Sequence, residues 1–206
     1  MFFRLRQTPR LLWVCGAIFA GVVFGLSWWR WWTFQYGTFD LAFYVQGLWL
    51  ALRGEWNVSL LDVPLLGNHA EPIVFLLLPL FAVAPHPMTL VAVQTLALAS
   101  MPFTARRIAL HLGYAPREAL LVALAIILAP AAGFIGIHEF HPEAFAAPLL
   151  LLLIEARLKE RIGLFGAWFA GALACKENVA LLLAGFWGVH LVWEWRRCLS
   201  RQFRWN

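Results

Sequence analysis

Charge is what this sequence has least of. Asp, Glu, Lys and Arg make up 13% of its 206 residues, while 62% are hydrophobic, with 12 Trp and 17 Phe. Soluble domains carry about 25% charged residues, so the composition excludes an ordinary soluble domain and fits an all-α polytopic membrane protein. Cysteine is scarce too. Cys15 lies inside the first apolar run and Cys175 and Cys198 near the ends of later ones, which excludes a disulfide framework. Glycine-rich phosphate cradles are missing: no Walker or Rossmann pattern occurs, so the sequence offers no nucleotide-binding loop. The chain is basic (pI about 9.6), yet its Arg and Lys fall in short clusters between apolar runs instead of forming a stripe, which excludes a nucleic-acid partner. A cleavable leader is also missing. The first run, with Arg4, Arg6 and Arg10 before it, ends in the bulky Trp28-Trp29 and reads as a retained anchor.

What is there is a series of apolar runs, at about 11–29, 72–84, 87–105, 118–136, 144–156, 162–175 and 179–195. A spanning helix needs roughly 20 residues. The run 72–84 is too short for that and is broken by prolines, so it is expected to lie in or dip into one leaflet. If it does not cross, 13 of the basic residues fall on one side and only Arg30, Arg53 and Lys176 on the other. If it does cross, the split becomes 4 to 12 with the N-terminus on the poorer side. The positive-inside rule selects the first arrangement. The expectation is six transmembrane helices (about 11–29, 87–105, 118–136, 142–157, 162–177 and 178–195), an outer loop over 30–84 with juxtamembrane helices, and both termini in the cytoplasm. Membrane lipid is the implied partner.

That orientation gathers the out-of-place polar residues on the outer face. His138-Glu139-Phe140-His141-Pro142-Glu143 sits between two apolar runs, and ionisable groups in such a setting mark a functional site by default. The outer loop contains Asp40–Arg53, apolar at helical spacing, with Thr38 as its N-cap and Gly54 after its end. It reads as an interfacial helix. Asp40 in its first turn is either a capping carboxylate favoured by the helix dipole or a general base at the membrane surface. His69 and Glu71 close the loop. Together with His138, Glu139, His141 and Glu143 they are of the right types for a divalent metal, although the spacing lacks the four-residue separation of HExxH. The other reading of these residues is a hydrogen-bonded network capping helix ends. Lys176 and Glu177 are either a neutral ion pair or a phosphate-binding lysine with its orienting acid. Glu118, Glu155, Glu160 and Glu194 read as surface partners of nearby cations.

Four stretches, FDLAFYVQGLW, GNHAEPIVFLLLPLFAVAP, HEFHPEAFAAPLLLL and ACKENVALLLAGF, occur in this order. As a set they resemble the prokaryotic membrane family labelled domain of unknown function 2079, over roughly residues 28–190. The resemblance implies a GT-C architecture, that of polytopic glycosyltransferases using polyprenyl-phosphate sugars. It implies Asp40 as the base acting on the acceptor. It also implies basic and metal-ligating groups that hold the lipid phosphate, for which His69, Glu71, His138, Glu139, His141, Glu143 and Lys176 match by location; Arg53 and Glu177 are further phosphate-binding candidates. Members are usually longer, so the chain corresponds to the N-terminal portion of the pattern. The alternatives are a non-catalytic membrane protein that binds a lipid head group or a metal, and an inactive fragment. A transporter fits less well, because no inverted repeat is visible and the acids lie at one face instead of the midplane.

Overall fold

The computed structural model describes residues 9–36 and 39–202, the side chains of 189–191 and 193–202 excepted. Thr38, expected to cap the outer-loop helix, lies outside the described residues, as do Arg4, Arg6 and Arg204.

The described chain is almost wholly helical. Helix α1 (Arg10–Trp32) shows one buried stripe, Leu12, Gly16, Val23 and Ser27, and exposes Trp13, Ile18, Val22 and Trp29. An apolar helix with so much uncovered apolar surface is built for lipid. α4 (Pro87–His111) runs through the middle: 61% of its most apolar stretch is buried in the protein, against 22% for α1. Pro87 starts it, and His86 caps it by accepting from the Met88 N–H at 3.1 Å. His86 also stacks on Trp28, so this histidine is structural.

The run expected as one helix over 118–136 is split into α5 (Pro116–Ile127) and α6 (Pro130–Ile137). Pro130 explains the break: its ring drives the preceding residue out of the helical region, and Ala129 has ψ of 125°. The two pieces together still make a path of 22 residues long and apolar enough to cross a membrane, as do α1 and α4. These are the three such helices among the described residues. α7 (Ala146–Leu158) and α8 (Ile162–Leu173) have 13 and 12 residues and pack side by side. Their length is about 20 Å each, short of a full bilayer core. α9 (Glu177–Gln202) follows.

The stretch between α1 and α4 contains the helix expected over Asp40–Arg53, which forms as α2 (Phe39–Ala51). A minimal hairpin pairs β1 (Asn57–Val58) with β2 (Val63–Pro64) beneath it. The proline-bounded run becomes a 3-10 segment, Pro72–Leu77, continued by α3 (Leu78–Val83). It buries Ile73, Val74, Leu77 and Phe81, and exposes Leu76, Leu80 and Val83. The loop is fixed to the HEFHPE turn from the other side of the chain. The Arg30 guanidinium donates to the Ile137 carbonyl at 2.9 Å, and the Tyr36 hydroxyl donates to the His138 carbonyl. α1 and α6 approach closely at Gly136, where an added Cβ would come within 2.6 Å of Val23. That approach is what lets Ser27 and Arg30 reach the end of α6.

Candidate functional site

Residues from four separate stretches meet where α2, the 3-10 segment Pro72–Leu77, the HEFHPE turn and the α8–α9 turn converge. Glu139 is the hinge of this arrangement. It is 8% exposed, and one carboxylate oxygen accepts from the backbone N–H of Asp40 at 2.7 Å and of Leu41 at 3.1 Å. The first turn of a helix leaves its N–H groups without intrahelical partners and carries positive partial charge. A carboxylate 99 positions away supplies what a local cap would. Glu139 thus sets where α2 begins and, with it, where Asp40 points.

Asp40 points at His141. Oδ2 lies 3.1 Å from Nε2, with the Asp40 side chain 38% exposed. The other ring nitrogen, Nδ1, lies 3.0 Å from the Glu139 carbonyl. Both nitrogens therefore face acceptors, an arrangement satisfied when the ring holds two protons or when Asp40 shares one. The turn itself is held by Gln94, buried in α4. Its amide nitrogen donates to the Ile135 carbonyl at 3.0 Å, and its amide oxygen accepts from the His141 N–H at 2.9 Å.

Behind Asp40, one helical turn along α2, the Tyr44 hydroxyl donates to Glu71. Glu71 is 3% exposed, and its second oxygen, Oε1, has no hydrogen-bond partner among the described residues. The nearest cation is Lys176, whose Nζ is 3.9 Å from that oxygen and 2.9 Å from Glu143. Burial pushes the Glu71 carboxyl above its ordinary range, against the pull of Tyr44 and Lys176. Burial, followed by the Glu71 carboxylate, pushes the Tyr44 phenol well up. For Glu143 burial also acts upward, but the hydrogen bond and charge of Lys176 win and hold it below the usual carboxylate range. Lys176 is raised in turn: burial would lower it, and Glu143 and Glu71 overcome that. Tyr36, under the same turn, is pushed up to about 12 by burial and by Glu139.

Of the residues singled out from the sequence, Asp40, Glu71, Glu139, His141, Glu143 and Lys176 are brought together. His69 and Glu177 pair with each other at 2.8 Å beside them, so Lys176 and Glu177 do not form the simple mutual pair considered above. His138 ends α6, with its ring 5.5 Å from that of His141. Arg53 is elsewhere. It stacks 3.5 Å over the Trp49 ring and donates to the Trp49 carbonyl at the far end of α2. Glu155, expected at the surface, is 8% exposed. The pattern missed Tyr44 and Gln94. Both were readable: Tyr44 is one turn from Asp40, and a lone amide inside an apolar span calls for partners. The site donors are engaged by Lys176, Tyr44 and backbone groups. Among the described residues, no three His, Cys, Asp or Glu side chains are grouped to hold a metal ion.

A cleft of about 590 Å³ opens beside the dyad. Leu98, Phe134, Leu150 and Leu182 form its apolar wall; His138, His141, Glu143 and Asn178 form its polar part. An amphiphile with a long apolar chain and a polar head matches that lining. A family model described as "Predicted membrane protein (DUF2079)" matches residues 30–204 of the chain, which include every one of these side chains. No curated protein and no solved structure matches.

Proposed function

From the premise that the chain belongs to the DUF2079 family of predicted membrane proteins, we propose that it is a GT-C-like glycosyltransferase module that moves a sugar from a polyprenyl-phosphate donor to an acceptor at the outer membrane face. In this reading the chain crosses a prokaryotic plasma membrane six times, both termini are cytoplasmic, and α2 and the segment Pro72–Val83 lie at the outer surface. The observation that carries it is the cleft, apolar along its wall and polar where it meets His138, Glu143 and His141, the partner of Asp40. A prenyl chain takes the wall and the phosphosugar takes the polar part.

Asp40 then removes the proton from the acceptor hydroxyl as that oxygen bonds to the anomeric carbon. The bond from that carbon to the phosphate oxygen breaks, and the electron pair leaves with the lipid phosphate. Charge on the departing phosphate is met by His141, when it holds two protons, and by Lys176, which draws on Glu143 and Glu71 for its position. Preorganised positive groups at a developing negative charge are the usual large term in such reactions. Glu139 and Gln94 act through Asp40 and His141 by holding them. The phosphate role considered for Arg53 has no support from its position on Trp49. No step of this reading runs through a metal ion.

The test is transfer from a polyprenyl-phosphate sugar by the purified chain in lipid vesicles. Asp40→Asn keeps the shape and loses the base, and transfer should fall by about 10²–10⁴-fold with the helical content unchanged. Full transfer by that variant removes Asp40 from the reaction. If the wild-type chain retains the lipid but transfers nothing from it, the site is a lipid head-group binder and no catalyst.

A further inference from the structure

The opposite end of the α7–α8 pair carries a second pocket. α7 starts at the HEFHPE turn, runs about 20 Å away from it, and hands over to α8 through Lys159–Arg161. There a cavity of about 530 Å³ is lined by Arg157, Glu160, Arg161, Ile162, Phe165 and Trp187. Its volume falls in the range of small-molecule sites, roughly 300–1,000 Å³. Two features separate it from a simple groove between helices. First, the cations are uncommitted. Neighbouring Lys159 and Arg107 are both taken up by Glu155, whereas the exposed Arg157 and Arg161 side chains make no hydrogen bond or ion pair among the described residues. Second, their neighbours in the pocket are aromatic and apolar. The Phe165 and Trp187 rings pack edge to face, with centroids 5.9 Å apart. Ile162 is 85% exposed, an open apolar ledge beside the two guanidinium groups. The single acid of the lining, Glu160, leaves the pocket with a net positive charge.

We infer that this pocket binds one anionic phospholipid, with the phosphate held by Arg157 and Arg161 and an acyl chain lying on Ile162, Phe165 and Trp187. Basic pockets between membrane helices recognise anionic head groups through the same combination of charge and apolar contact. Guanidinium suits phosphate because its planar fork donates two parallel hydrogen bonds. The site is at the other end of the bundle from Asp40 and His141 and does not depend on the transferase reading.

The experiment uses the full chain in detergent, and native mass spectrometry counts the phosphatidylglycerol and phosphatidylcholine molecules retained across a lipid titration. Wild type is expected to hold one phosphatidylglycerol in preference to phosphatidylcholine. Arg157→Gln with Arg161→Gln should weaken that binding roughly thirtyfold, since each basic side chain near an anionic head group contributes about a factor of five. Phe165→Ala should weaken it while leaving the charge intact. Arg10→Gln with Arg117→Gln, two cations outside the pocket, should leave it unchanged. Equal retention by wild type and the Arg157/Arg161 pair, or equal loss in the Arg10/Arg117 pair, overturns the site. Competition by inorganic phosphate as strong as by the lipid shows a phosphate site without a lipid and overturns the acyl-chain contact. Helical content and melting point of each variant, measured alongside, keep loss of fold from being read as loss of binding.

Discussion

The two ends of the helix bundle are charged in opposite ways. At one end Asp40, Glu71, Glu139 and Glu143 crowd together and are met by His141, Tyr44, Lys176 and the backbone N–H groups of α2. At the other end Glu155 is met by Arg107 and Lys159, while Arg157 and Arg161 make no pairs among the described residues and the Arg106 Nε is buried without a partner. The first end has carboxylates in excess and the second has cations in excess. At the first end burial raises the affinity of Glu71 for a proton, against the pull of Tyr44 and Lys176. An excess of cations attracts anions. The same residue chemistry therefore does different things because the bookkeeping of partners differs.

The contrast can be broken most forcefully at Lys176. Lys176→Met should leave the buried Glu71 without its nearest cation, a loss of about 1–3 kcal/mol, and Glu143 without its partner, a pair that the 38% exposure of Glu143 screens to about 1 kcal/mol or less. Calorimetry of the purified chain should show a large drop in melting temperature. The loss should depend on pH with a definite sign. Glu143 is held below its ordinary 4.5, so its contribution is present above that pH and lost as pH falls through its lower folded value. Lys176 is raised above 10.5, so its contribution is present below that pH. The gap between wild type and variant should be widest between those limits and should close in acid. If it stays constant into strong acid, the pair does not set stability.

Glu139→Ala is the next in size. It removes the cap of α2, worth about 0.5–2 kcal/mol, and frees the first turn that carries Asp40. Hydrogen exchange should show faster opening at the start of α2 than at its end. Protection that is unchanged there would mean the helix start is held by packing alone. The smallest effect belongs to the other end. Glu155→Gln loses its pairs with Arg107 and Lys159, but these cations are open to solvent, and pairs of that kind contribute about 1 kcal/mol or less. A melting temperature as low as that of Lys176→Met would show that the two ends are equally buried in their energetics and would end the comparison.

Much of this was legible in composition and pattern. The proline-bounded run at 72–84 announced a segment too short to span and forms a 3-10 turn followed by a six-residue helix. A helix was readable from the apolar spacing of Asp40–Arg53 and forms over Phe39–Ala51. The membership of the HEFHPE, Asp40, Glu71 and Lys176 residues in one polar face followed from counting cations on either side of the apolar runs. The split of α5 from α6 was less obvious, although Pro130 carried the signal. Arg53 illustrates the limit of side-of-membrane reasoning. It follows the helix that carries Asp40, and that helix, about 20 Å long, puts the two residues at opposite ends.

Sequence alone determined that this is an apolar, helical chain with one acid-and-histidine-rich face, because hydrophobicity and charge placement are local quantities that the bilayer reads directly. Which acid meets which base was decided only by the tertiary structure. Glu139 caps a helix 99 positions upstream, Tyr44 reaches Glu71, and His69 takes Glu177, 108 positions on. Such pairings depend on distances of a few ångströms set by the packing of α1 against α6 and by the path of the outer loop. The spacing of residues along one chain contains no measure of those distances.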